Sequence, residues 1–117
     1  ASICLEDILH FLGSSVGARM KKCALEGTLR REQPFVLGVE EAGETVLVQG
    51  IIDVYFEEPD GLVVLDYKTD RIRTAEELRE KYHAQLDYYG EALERLTEKK
   101  VKEKIIYSFF LQEIVEV

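Results

Sequence analysis

Tryptophan is absent from this 117-residue chain, which has only one methionine, two cysteines, two histidines and two prolines. The two cysteines, Cys4 and Cys23, have no second Cys or His at metal-ligand spacing, which argues against a zinc or iron–sulfur site. Reduced, cytoplasmic thiols are expected. No apolar run approaches the roughly 20 residues of a membrane span, so no membrane role is indicated. The chain opens Ala1-Ser2-Ile3-Cys4, with neither an initiating methionine nor a basic segment leading into an apolar one, and is expected to be a piece of a longer protein. Cations are also scarce: 15 Lys and Arg against 23 Asp and Glu give a net charge of -8. Alone, such a domain binds polyanions weakly, whereas an acidic cleft suits a hard divalent cation. What is present, 46% hydrophobic and 32% charged residues, is the composition of one soluble globular domain.

Leu5, Ile8, Leu9 and Leu12 stand at helical spacing. Gly13-Ser14-Ser15 then breaks the pattern and offers an N-cap for a second helix over roughly Val16 to Leu25, ended by Gly27. Gln33 to Val39 reads as a strand, Glu41 to Glu44 as a turn, and Thr45 to Phe56 as a long strand. On that long strand Val46, Val48, Gly50, Ile52, Val54 and Phe56 are expected on one face, with Leu47, Gln49, Ile51, Asp53 and Tyr55 on the other. Both faces then look covered. Pro59-Asp60-Gly61 predicts a hairpin into a third strand ending at Lys68. Thr74-Ala75-Glu76-Glu77 matches a capping box for a helix from about Ala75 to Thr97, with Leu78, Tyr82, Leu86, Tyr89, Leu93 and Leu96 as its apolar stripe. Lys104 to Leu111 reads as a last strand. The expected fold is α/β, a mixed sheet in which an antiparallel meander is joined by a parallel strand after a right-handed crossover, flanked by helices. N-terminal helices would fill residues 4–26, and the sheet with its crossover helix residues 32–117.

The chemistry concentrates at two strand ends. Asp66 and Lys68, at i and i+2, project from one face while Tyr67 points the other way, and the hairpin brings Asp53 near Asp66. Two carboxylates beside an ammonium could hold a metal with the Tyr67 main-chain carbonyl and hydrolyse a phosphodiester. An Asp-x-Lys at a strand end is also a common solvated terminus, so spacing alone leaves both readings open. Gln85 lies inside the apolar stripe, where a polar side chain must find a hydrogen bond or face a cleft.

Gly50-Ile51-Ile52-Asp53, Asp66-Tyr67-Lys68-Thr69-Asp70 and Tyr82-His83-Ala84-Gln85-Leu86-Asp87-Tyr88-Tyr89 together resemble the nuclease domain of the RecB/AddA family, within the PD-(D/E)XK superfamily. Arg31-Glu32-Gln33-Pro34-Phe35 resembles the family's Arg-Glu-x-Pro-Phe segment, and Phe11 to Met20 its helical lead-in. The resemblance implies a restriction-endonuclease-like core at the C-terminal end of an AddA-type helicase–nuclease. It implies Asp53 and Asp66 as Mg²⁺ (or Mn²⁺) ligands, Lys68 as the catalytic lysine, and Tyr82, Gln85 and Glu32 as accessory residues. The implied activity is resection of double-stranded DNA ends in the bacterial cytoplasm for recombinational repair, this domain cutting the emerging single strand beside an AddB-type partner subunit. ATP would serve only a helicase region, and no Gly-x-x-x-x-Gly-Lys sequence occurs in this chain. The family's histidine ligand, in a Gly-Thr-x-x-His-like segment, also has no counterpart. His10 reads as structural or exposed and His83 as a variable position, so the domain alone is expected to cut weakly or not at all. The alternatives are a non-catalytic nuclease-like docking module and a free-standing restriction-type or Cas4-like nuclease, the latter disfavoured by the lack of a cysteine cluster.

Overall fold

A computed structural model describes residues 5–117. Residue 4, where the first helix is expected to begin, and with it the Cys4 thiol, lies outside the described residues. Helices α1 (Leu5–Leu12) and α2 (Ser15–Glu26) meet at a tight corner. Ser14 builds it: its Oγ accepts the Gly17 N–H at 3.1 Å and donates to the Phe11 carbonyl at 2.6 Å, capping α2 as Ser does when its backbone is extended. A Cβ on Gly17 would stand 2.5 Å from that same carbonyl oxygen, so only glycine fits. Gly27, in the left-handed region, closes α2.

Strands β1 (Leu29–Glu41), β2 (Glu44–Glu58) and β3 (Gly61–Lys68) form the expected antiparallel meander. The β1–β2 loop is Ala42-Gly43, both at positive φ as a type I′ turn requires. Helix α3 (Ala75–Thr97) crosses back, its N-terminus capped by Thr74 Oγ1 accepting the Glu77 N–H. Strand β4 (Val101–Ser108) then pairs parallel to β3 and β5 (Glu113–Glu116) antiparallel to β4, giving the order β1-β2-β3-β4-β5.

The sheet is packed on both faces. Phe11, Val16, Met20 and Cys23 of the first two helices cover Phe56, Leu65 and Tyr107. On the opposite face Leu78, Leu86, Tyr89 and Leu93 of α3 cover Ile52, Val64 and Ile106. Full burial of each such aliphatic side chain contributes about 1.5–3 kcal/mol, which outweighs any difference in helix propensity along α3.

Four expectations are corrected. Strand β2 does not keep one face throughout: Ile52 packs under α3, whereas Val54 and Phe56 pack under α1 and α2. The reversal falls at Asp53, where the β1–β2 ladder passes from Arg31–Val54 to Gln33–Ile52 and leaves Glu32 and Asp53 unpaired. Glu32 has φ 51, a left-handed residue inside a strand, which breaks the alternation of the pleat. Second, the outer hairpin is not covered on both faces, since Val36, Leu47 and Ile51 are exposed. Third, the helical spacing of α1 does not mark one buried face: Leu5 is 69% and Leu9 58% exposed, while Phe11 enters the core and Leu12 packs partly against it. Leu96, likewise, leaves the α3 stripe and is exposed. Fourth, the last strand ends at Ser108. Its Oγ accepts the Leu111 N–H, and a turn through Gln112 at φ 54 leads into β5.

Candidate active site

Pairing between β2 and β3 stops at Val54–Leu65, one residue short of Asp53 and Asp66. Beyond that point β3 stays paired with β4 as far as Lys68–Ser108. In place of a ladder bond, the Tyr67 N–H donates to Asp53 Oδ2 at 2.9 Å. The side chain of Asp53 thus takes over a main-chain role as the strands part, and its carboxylate is pinned at the opening.

Asp66 is only 3% exposed. Burial, followed by the neighbouring Asp53 carboxyl, pushes its carboxyl up to about 7, with Lys68 pulling the other way. Lys68 Nζ stands 2.8 Å from Asp66 Oδ2. That ion pair is not aligned as a hydrogen bond, so Oδ2 has no satisfying donor. A buried acceptor in this condition is costly unless something else coordinates it. The acid pair is felt further off: burial, then the charges of Asp66 and Asp53, push the Tyr89 hydroxyl up to about 12.

Lys68 is held from the α3 side. Its Nζ donates to Gln85 Oε1 at 2.9 Å and lies 4.0 Å from the centre of the Tyr82 ring. The polar residue in mid-stripe therefore has its hydrogen bond, and that bond is to the lysine. Tyr67 points its ring to the opposite face, against Phe11, as alternation requires. Beside Asp53 on that face is a cavity of about 400 Å³, walled mainly by Ile8, Phe11, Met20 and Phe109 and edged by Arg31 and Glu32.

Asp53, Asp66, Lys68, Tyr82 and Gln85 therefore converge. Glu32 shares a cavity wall with Asp53 but does not complete a cluster: among the described residues no three His, Cys, Asp or Glu side chains group to hold a metal. His10 is exposed on α1, and His83 is exposed with Nε2 3.3 Å from Asp87. Asp70, given no separate role from spacing, accepts from Tyr82 Oη at 2.6 Å and Lys81 Nζ at 2.7 Å. No local signal could announce that contact, because it closes over 12 residues between a loop and a helix.

A mixed five-stranded sheet between helices, in which two carboxylates stand just past the end of the β2–β3 ladder with a lysine two residues on, defines a nuclease-like core. Residues 8–115 match the PD-(D/E)XK nuclease superfamily, and the chain belongs to that family. It is 43% identical over 120 residues to an ATP-dependent helicase/nuclease subunit of Clostridium kluyveri, covering 92% of this chain and 10% of that protein. The protein of the same name from Acetivibrio thermocellus is 46% identical over 123 residues, 93% of this chain and 10% of that protein. The chain thus spans about a tenth of the length of these curated relatives. A crystal structure described as that of SSO0001 superposes with a TM-score of 0.54 at 19% identity over 95% of this chain and 48% of that one, a likeness of fold.

Proposed function

We propose that this chain is the nuclease domain of a bacterial, cytoplasmic ATP-dependent helicase–nuclease, hydrolysing phosphodiester bonds of single-stranded DNA during resection of DNA ends. The observation that carries the reading is the placement of Asp53 and Asp66 where β2 and β3 part, with Lys68 Nζ 2.8 Å from the buried Asp66 carboxylate.

The residues fit a divalent metal. The donors are all oxygens, one of them buried without an aligned partner, and a hard cation such as Mg²⁺ or Mn²⁺ takes such a set. Asp53, Asp66 and the main-chain carbonyl of Tyr67 would hold it, with Glu32 accessory. When bound, the ion would polarise a phosphoryl oxygen and acidify a water. Lys68 positions the attacking water or offsets charge developing on the phosphate. Gln85 and Tyr82 keep its ammonium at that place.

With two acidic side chains and no histidine at the site, residues 1–117 cut weakly by themselves. The net charge of -8 adds to this, and DNA delivery falls to a helicase region and an AddB-type partner. The test is cleavage of a labelled single strand by the full-length enzyme with Mg²⁺ or Mn²⁺. Wild type should cut only with metal, and Asp66→Asn and Lys68→Met should not cut. Cutting in chelator, or by either variant at the wild-type rate, would overturn the reading.

A further inference from the structure

We infer that Asp70 is a positioning residue for Lys68, acting through the ring of Tyr82. This rests on the nuclease reading above. Three groups surround the Lys68 ammonium, one of them through an aligned hydrogen bond. One is Gln85 Oε1, another is the Asp66 carboxylate, and the third is the face of Tyr82. The first two partners sit on regular structure, Gln85 in α3 and Asp66 in β3. The ring is different. Tyr82 is only half-buried, packed against the edge of the α3 core, and its side chain turns about two bonds, so packing alone fixes its ring less firmly than regular structure fixes the other two partners.

What chooses it is the hydroxyl. Tyr82 Oη donates to Asp70 Oδ2 at 2.6 Å, a short charge-assisted bond, and Lys81 Nζ supports the same oxygen from the preceding residue of α3. Asp70 lies on the loop that follows Lys68, so its bond ties the lysine's own loop back to the helix that grips the lysine. With both ends of the ring fixed, its electron-rich face is presented to the ammonium, as cation–π contact requires. The carboxyl of Asp70 is held below the usual carboxylate range by Lys81 and then Tyr82, so it stays an acceptor at neutral pH. Without Asp70 the ring keeps its packing against the core but loses the bond that fixes its outer end, and the ammonium keeps two fixed partners, of which Asp66 would be engaged by metal.

The test reads the ring directly. In nuclear magnetic resonance spectra of this chain, the Lys68 ε-methylene protons should be displaced upfield by the Tyr82 ring current. Tyr82→Leu should abolish the displacement and so should Asp70→Ala, whereas Asp70→Asn, whose amide oxygen can still accept, should retain most of it. In the full-length enzyme Asp70→Ala should lower kcat on the order of 10-fold, as loss of an orienting partner does, with KM for DNA unchanged. An unchanged Lys68 signal in Asp70→Ala, or a displacement that survives Tyr82→Leu, would overturn the inference. A protein that never cuts DNA would instead defeat the nuclease reading and leave the spectroscopic result to decide this one.

Discussion

The β2–β3 ladder carries carboxylates at both ends, and the two ends treat them oppositely. At the hairpin end, Glu58 receives two hydrogen bonds from Arg19, at 2.6 and 3.0 Å, and Lys102 Nζ lies 2.8 Å away. The Arg19 bonds, with help from Lys102, hold its carboxyl down at about 2. At the open end Asp66 faces another carboxylate and one misaligned ammonium, and stands near 7. The same sheet and the same residue chemistry give opposite results. The closed end uses its cations to satisfy acids and fastens α2 to the sheet. At the open end an acid is left under-satisfied, a condition that local stability does not favour and that a metal would relieve.

Three substitutions would break or sharpen this contrast. The largest effect belongs to Lys68→Ala, which in the full-length enzyme should lower cutting by about 10²–10⁴-fold while ATP hydrolysis persists. Loss of both activities would make Lys68 a structural residue. Next is Arg19→Met at the closed end. It removes the bridge between Glu58 and Glu103, leaving Glu58 to Lys102 alone, and should cost about 2 kcal/mol, read as a lower urea midpoint. An unchanged midpoint would mean the network contributes nothing.

The pH dependence follows from the same pair. A depressed carboxylate stabilises above its unfolded value, here about 4.5, and loses that contribution as pH falls through about 2. Acid unfolding of the wild type between those values should therefore be steeper than that of Arg19→Met, measured by circular dichroism. Equal slopes would separate Glu58 from acid stability. The smallest effect is expected for Asp66→Asn, which removes a buried charge facing Asp53. Without metal its thermal midpoint should equal or slightly exceed the wild type. A midpoint several degrees lower would mean Asp66 is a structural acid like Glu58.

Much of this was legible from local pattern. The α3 helix follows from its spaced apolar residues and the Thr74 cap, and the hairpin through Pro59-Asp60 brings Asp53 toward Asp66. The parallel return of β4 follows from the length of α3. Other features depend on contacts that no local pattern encodes. Arg19 meets Glu58 and Glu103, 39 and 84 residues away. The face reversal at Asp53 depends on the positive φ of Glu32 on a neighbouring strand, a conformation that glutamate does not advertise. The run Phe109-Phe110-Leu111 looks like more strand and is a turn. The exposure of Leu5 and Leu9 on α1 shows the limit of periodicity, which identifies an apolar face but not what covers it.

Whether the open end takes a metal separates the two ends most sharply. Thermal unfolding of residues 1–117 with Mn²⁺, for wild type and Asp66→Asn side by side, asks this directly. At metal about tenfold above its dissociation constant, binding to the folded state alone should raise the wild-type midpoint by about 5 °C. Asp66→Asn should show no such rise. An unchanged wild-type midpoint at millimolar metal, or an equal rise in both proteins, would contradict the assignment.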